Sequence, residues 1–71
     1  MPKLKEVFPG GVRISLRDGS VWLIHPEDIH SCYTWIPNAE IKVTEADKDS
    51  EYNYELENTY INVSVRAMKM D

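Results

Sequence analysis

The sequence predicts an all-β domain whose strands form a small antiparallel barrel, and three observations favour this fold class. Several short stretches alternate between apolar and polar residues, which is the period of a strand with one buried face. Turn-forming residues such as Asp18-Gly19 separate these stretches at hairpin spacing. Little of the chain favours a helix, apart from a short stretch after Pro26. Closure of the sheet into a barrel removes the exposed edges that invite aggregation.

The first two predicted strands form a hairpin in which residues 12–17 pair with residues 20–24. Apolar and polar side chains alternate along the first of these strands, and Gly19 can adopt the positive φ that a tight turn demands. Pro26 has no backbone N–H and restricts the residue before it. The second strand is therefore expected to end at His25.

The second strand is unusual because it contains four consecutive apolar residues, so its register decides which of them are buried. A two-residue turn would place Val21 and Leu23 in the interior and would expose Trp22. A three-residue turn with glycine in a left-handed bulge would instead pair Trp22 with Ile14, and would bury Trp22 and Ile24. We favour the second register because it removes more apolar area from water.

The segment at residues 26–37 is predicted to contain at most one short helical turn. Pro26 suits the first position of a helix, but the later residues Cys32, Tyr33 and Trp35 are poor helix formers. Either register leaves two apolar side chains on the second face of the preceding strand. We expect this face to be covered by the segment itself or by a partner subunit.

Three further strands are predicted, at residues 41–44, 52–57 and 61–67. A solvated, charged loop at residues 45–51 separates the first two, and a turn at residues 57–59 separates the last two. The five strands form one domain over residues 1–71, with an ordered core at about residues 11–68. A five-stranded SH3-like barrel fits this length better than an OB-fold, which needs a longer chain and an additional helix.

The composition is that of an ordinary folded domain, with 42% hydrophobic and 28% charged residues. No apolar run is long enough to span a membrane, and the first residues lack the apolar stretch of a secretory signal. We therefore expect a cytoplasmic protein without membrane contact. A single cysteine, Cys32, excludes an internal disulfide and a cysteine-based zinc site.

The net charge of −4 is unevenly distributed along the chain. Residues 18–57 contain ten acidic residues against Lys42 and Lys48, whereas residues 1–17 contain four basic residues and one acidic residue. Binding of nucleic acid usually requires a stripe of basic residues that neutralises phosphates. Nothing after Arg17 supplies such a stripe, so we do not expect direct nucleic-acid binding.

The stretch from Leu16 through Asp18-Gly19-Ser20 and Trp22 to Ile24, followed by Trp35, resembles a set of short bacterial proteins. Those mostly uncharacterised proteins carry an L-x-D-G-S-x-W-x-V stretch and a second tryptophan, and they are expected to form small SH3-like β-barrels. The resemblance covers residues 12–67 and implies the fold. Its motif residues are turn and core positions, so it implies no catalytic residue.

One cluster of metal-ligating residue types is present, and it consists of His25, His30 and Cys32 with two acidic residues between them. Its spacing matches no common zinc knuckle or helical pair of ligands, so we predict neither a metal site nor a cofactor. Cys32 has no orienting third group for nucleophilic catalysis and is expected to be a buried structural thiol. The sequence also lacks a phosphate-binding loop and a nucleophilic serine motif, so we do not expect an enzyme.

Aromatic and acidic residues are the remaining candidates for a functional surface, because amphipathic rings and acidic loops suit the binding of extended peptides. The contact candidates are Tyr33, Trp35, Tyr52, Tyr54, Asp47, Asp49 and Glu51. We expect a non-enzymatic module that binds a protein or a peptide, a second copy of the chain being one such partner. The alternative is an acidic inhibitor, or nucleic-acid mimic, that binds a basic enzyme surface.

Overall fold

The computed structural model describes residues 1–70 and consists of one antiparallel sheet with a short helix. The sheet curves into a half-barrel in the strand order β1-β2-β3-β6-β5-β4. Its elements are β1 (Leu4–Val7), β2 (Arg13–Leu16), β3 (Val21–Ile24), α1 (Ile29–Cys32), β4 (Ile41–Glu45), β5 (Tyr54–Asn58) and β6 (Val63–Met70). Short 3-10 turns at Pro9–Gly11 and Pro26–Asp28 precede β2 and α1. The all-β antiparallel architecture agrees with the prediction, with one strand more than the five expected.

The additional strand is β1, which lies before the predicted core and supplies the fully buried Leu4. Its apolar residues do not alternate, because a β-bulge between Leu4 and Glu6 shifts its pairing with β2. Leu4 and Val7, three positions apart, consequently both pack against the core. The period-2 pattern that reveals a strand is therefore absent from this one.

Backbone hydrogen bonds join the two edges of the sheet at one point. The Leu4 N–H donates to the Ala39 carbonyl at 2.8 Å, and the Asn38 N–H donates to the Leu4 carbonyl at 2.7 Å. The Ile41 N–H donates to the Pro2 carbonyl at 2.9 Å. The residues that precede β4 thus close the half-barrel against β1.

The register of the first hairpin is the one that the sequence favoured. Ile14 pairs with Trp22, and both Trp22 and Ile24 are buried, whereas Val21 and Leu23 are half-buried on the other face. Gly19 has a φ of +94°, as the three-residue turn requires. The prediction that Trp22 is a core residue is therefore confirmed.

The interior is filled by every strand and by the connection between β3 and β4. Twelve apolar residues of the described chain are buried there: Leu4, Ile14, Leu16, Trp22, Ile24, Cys32, Trp35, Ala39, Ile41, Leu56, Val65 and Ala67. The connection contributes three of them, so it packs against the interior rather than over the outer face of β3. On that outer face Val21 pairs with Met70 and Leu23 pairs with Met68. A covering partner subunit at this face stays a prediction.

The segment after Pro26 is helical over a longer stretch than the single turn predicted. A 3-10 turn at Pro26–Asp28 runs directly into α1. The His25 side chain caps the first turn, because its Nδ1 accepts the Glu27 N–H at 3.0 Å. Burial of Cys32 in the core outweighs the weak helix propensity of this segment.

Asp28 connects this helical segment to β6, and the sequence did not reveal the contact. Since β3 ends at Ile24, the Arg66 N–H of β6 has no partner on that strand. The Asp28 carboxylate accepts this N–H at 2.8 Å and also accepts bonds from the Arg66 guanidinium at 2.9 and 3.1 Å. The Arg66 side-chain hydrogen bond is the main reason why the pKa of Asp28 lies below its ordinary value.

Replacement of Asp28 by asparagine is expected to lower the free energy of unfolding at pH 7 and to have a smaller effect in acid. A carboxyl group whose pKa is lowered by folding stabilises the fold above its unfolded pKa, and this stabilisation is lost as the pH falls through the folded pKa. Urea unfolding of the wild type and Asp28→Asn at pH 7 and in strong acid measures the difference. Glu27→Gln is the matched control, because Glu27 is largely exposed and lies 3.6 Å from Arg66. An Asp28→Asn effect that is equal at both pH values contradicts the expectation.

Candidate partner-binding surfaces

The structure separates the four aromatic contact candidates. Trp35 is only 5% exposed and belongs to the core cluster, so it is corrected from a contact residue to a core residue. Tyr54 packs inward with its ring edge-on to Trp22 at a centroid distance of 5.1 Å. Tyr52 is half-buried against His25, with ring centroids 4.7 Å apart, and Tyr33 is 58% exposed on the helical segment. These residues do not line one aromatic groove of the SH3 type.

The loop at residues 45–51 is exposed, as the sequence predicted, and we call it the acidic loop. It carries the four exposed carboxylates of Glu45, Asp47, Asp49 and Glu51 together with Lys48. Asp47 organises the loop, because its carboxylate accepts the Asp49 N–H at 3.0 Å. The Asp47 carbonyl also accepts a bond from the Ser50 N–H, at 3.2 Å. The acidic loop thus presents its charge on a locally ordered turn between β4 and β5.

Two other acidic residues of the same hairpin have basic neighbours. Both lie on the outer face: Glu57 pairs with Lys42 of β4, whereas Glu55 pairs with Arg66 of β6, whose guanidinium is bonded to Asp28. The negative charge of this hairpin is densest at the acidic loop, where four exposed carboxylates lie within seven residues.

Tyr33 lines an open depression of about 270 Å³ together with Gly10, Ile29 and His30. Pockets that hold drug-sized ligands are larger, at roughly 300–1,000 Å³, and more enclosed. Other exposed apolar side chains on connections at this end of the sheet include Val12, Tyr60 and Ile61. The sequence does not reveal these three residues as a surface feature, since isolated exposed apolar side chains carry no pattern.

His25 and Cys32, two residues of the metal-ligating types, have structural roles. Within residues 1–70, no three side chains of the metal-ligating types converge. His25 caps the 3-10 turn, and the buried Cys32 thiol donates to the Gly11 carbonyl at 3.4 Å. Burial raises the pKa of Cys32 to about 11, which keeps the thiol protonated and unreactive near neutral pH. The prediction that Cys32 is buried is confirmed.

Comparison with known protein families, curated proteins and solved structures finds no match to this chain. None of the helices within residues 1–70 is long and apolar enough to cross a membrane.

Proposed function

We propose that this domain is a non-enzymatic protein-interaction module that binds a basic segment of a partner protein at the acidic loop. The observation that carries the proposal is the loop itself, which has four exposed carboxylates and only one lysine on an ordered turn. Such a surface attracts a basic partner and orients it during encounter. Tyr52, which follows the loop directly, supplies an amphipathic ring for the same contact.

An acidic inhibitor that imitates nucleic acid is the second candidate, and the same carboxylates favour it. A mimic of this kind needs negative charge that extends over a surface comparable to a duplex. Lys42 pairs with Glu57 of the same hairpin, so the densest negative charge is restricted to the short acidic loop. This restriction favours a short basic protein segment as the ligand.

Binding to an array of basic peptides is expected to weaken at least about threefold when two loop charges are removed as Asp49→Asn with Glu51→Gln. The matched control is Glu6→Gln with Glu27→Gln, which makes the same change in net charge on exposed positions outside the acidic loop. Fluorescence anisotropy of the best array peptides at low and moderate salt measures both effects, and binding is expected to decrease with salt.

The proposal is wrong if the array yields no peptide that binds, or if both double variants weaken binding equally. The mimic is favoured instead if the wild type ignores all peptides but releases a nucleic-acid-binding enzyme from DNA and loses this activity in the loop variant.

A further inference from the structure

Only alternate residues of β4 point their backbone N–H and C=O groups towards β5. The hydrogen bonds at the two ends of the strand identify these residues. The Thr59 N–H donates to the Glu40 carbonyl, and the Ala46 N–H donates to the Asn53 carbonyl. Backbone groups of successive residues in a strand point in opposite directions. The even-numbered residues between Glu40 and Ala46 therefore face β5, and the odd-numbered residues face away from it.

The outward-facing groups of β4 are paired at one end only. The Ile41 N–H donates to the Pro2 carbonyl, but Pro2 has no N–H with which to return a bond to the Ile41 carbonyl. The N–H and C=O groups of Val43 and Glu45 have no strand beside them within residues 1–70, because β4 is the last strand of the sheet. Five backbone groups in a row are thus free to pair with another chain.

The side chains of β4 define what a neighbouring strand would contact. Val43 is half-buried and packs against the core, whereas Lys42 and Thr44 are exposed on the other face. A strand added beside β4 would place alternate residues next to Val43, over the open side of the interior, so alternating apolar residues suit it. In antiparallel orientation its amino terminus would lie next to Glu45 and the acidic loop.

The negative charge beside the β4 edge favours a basic peptide segment over a second copy of the chain as the added strand. Each copy of the chain has a net charge of −4, so a second copy would bring like charge to the acidic loop. A segment with lysine or arginine at its amino end brings the opposite charge to the same place. Charged residues beside an edge strand also discourage pairing with strands that do not complement them.

We infer that the free edge of β4 is the docking site, and that an extended peptide segment with basic residues at its amino end pairs with it as an antiparallel seventh strand. The inference rests on the proposed function and specifies its geometry. Backbone hydrogen bonds to Val43 and Glu45 provide the pairing, and the acidic loop selects the basic end of the ligand.

The test uses a synthetic heptapeptide of alternating valine and threonine with two lysines at its amino end. Titration of the isotope-labelled full chain is followed by NMR, and the amide signals of Val43 and Glu45 are expected to shift. One derivative is N-methylated at peptide positions 3, 5 and 7 and the other at positions 2, 4 and 6, so their composition and charge are identical. One derivative is expected to lose at least about tenfold in affinity and the other to bind nearly as the parent, because only one set of amides faces β4.

Each other outcome overturns the inference in an identifiable way. Equal effects of the two methylation patterns, or signal shifts confined to the Tyr33 depression, exclude strand addition but leave the interaction function standing. Absence of binding at millimolar peptide also excludes strand addition. The proposed function fails as well only if the array of basic peptides yields no peptide that binds. Concentration-dependent shifts of Val43 without peptide assign the edge to a second copy. A peptide with two glutamates in place of the lysines is the control, and equal binding of it overturns the role of the acidic loop.

Discussion

Replacement of Trp22 by alanine is expected to remove a large part of the free energy of unfolding and to lower the unfolding temperature by more than about 10 °C. Trp22 is 3% exposed, contacts the ring of Tyr54 edge-on and donates from Nε1 to the Ser20 hydroxyl at 2.9 Å. Loss of a buried tryptophan costs about 3–5 kcal/mol. A domain of this size has a free energy of unfolding of roughly 4–10 kcal/mol, so the variant loses a large part of it.

Thermal unfolding followed by far-ultraviolet circular dichroism measures this loss. Tyr60→Ala is the matched control, because Tyr60 is an aromatic residue with 62% exposure on the turn before β6. The control is expected to unfold close to the wild-type temperature. A Trp22→Ala variant as stable as the control would mean that Trp22 faces solvent, and the register of the first hairpin would then be wrong.

Replacement of Gly11 by alanine is expected to lower the free energy of unfolding by about 2–5 kcal/mol, from two separate causes. Gly11 has a φ of +72°, a conformation in which a side chain is strained. A Cβ atom there would also lie 2.5 Å from the Tyr33 Cβ and 3.2 Å from the Ile29 Cγ2. The β1–β2 connection and the helical segment would have to move apart to accept it.

Gly19→Ala separates the two causes, since Gly19 has a φ of +94° but no atom within 4 Å of the added Cβ. Its expected loss is the backbone cost alone, about 1–2 kcal/mol. Chemical denaturation of both variants gives the comparison. Equal losses would show that the helical segment does not pack closely on Gly11.

The parts of the fold that the sequence predicted are those with strict alternation and an identifiable turn. The hairpin around Asp18-Gly19 is such a part, and the large apolar area of Trp22 and Ile24 correctly predicts its register. The bulge after Leu4 disrupts the alternation of β1, so this strand has no readable pattern. The helical segment was predicted too short because burial of Cys32, a tertiary effect, outweighs local propensity.

Of the candidate binding site, the sequence predicts only the exposed acidic loop. The acidic loop has no large apolar residue, which is sufficient to predict an exposed position. The positions of the aromatic rings were not predictable, because large rings also fill the core of a small domain. Trp35 is an example of this second use. The free edge of β4 depends on strand order and on the closure at Pro2, which are long-range features that one sequence does not display.

The most direct test of the open-edge account is amide hydrogen exchange in the free protein, measured along β4 by NMR. The account predicts alternation, with Lys42 and Thr44 protected by their bonds to β5, and with Val43 and Glu45 exchanging at least about tenfold faster. This pattern should not change with protein concentration. Equal protection of all four amides would contradict the account, because it would mean that the edge of β4 is already paired.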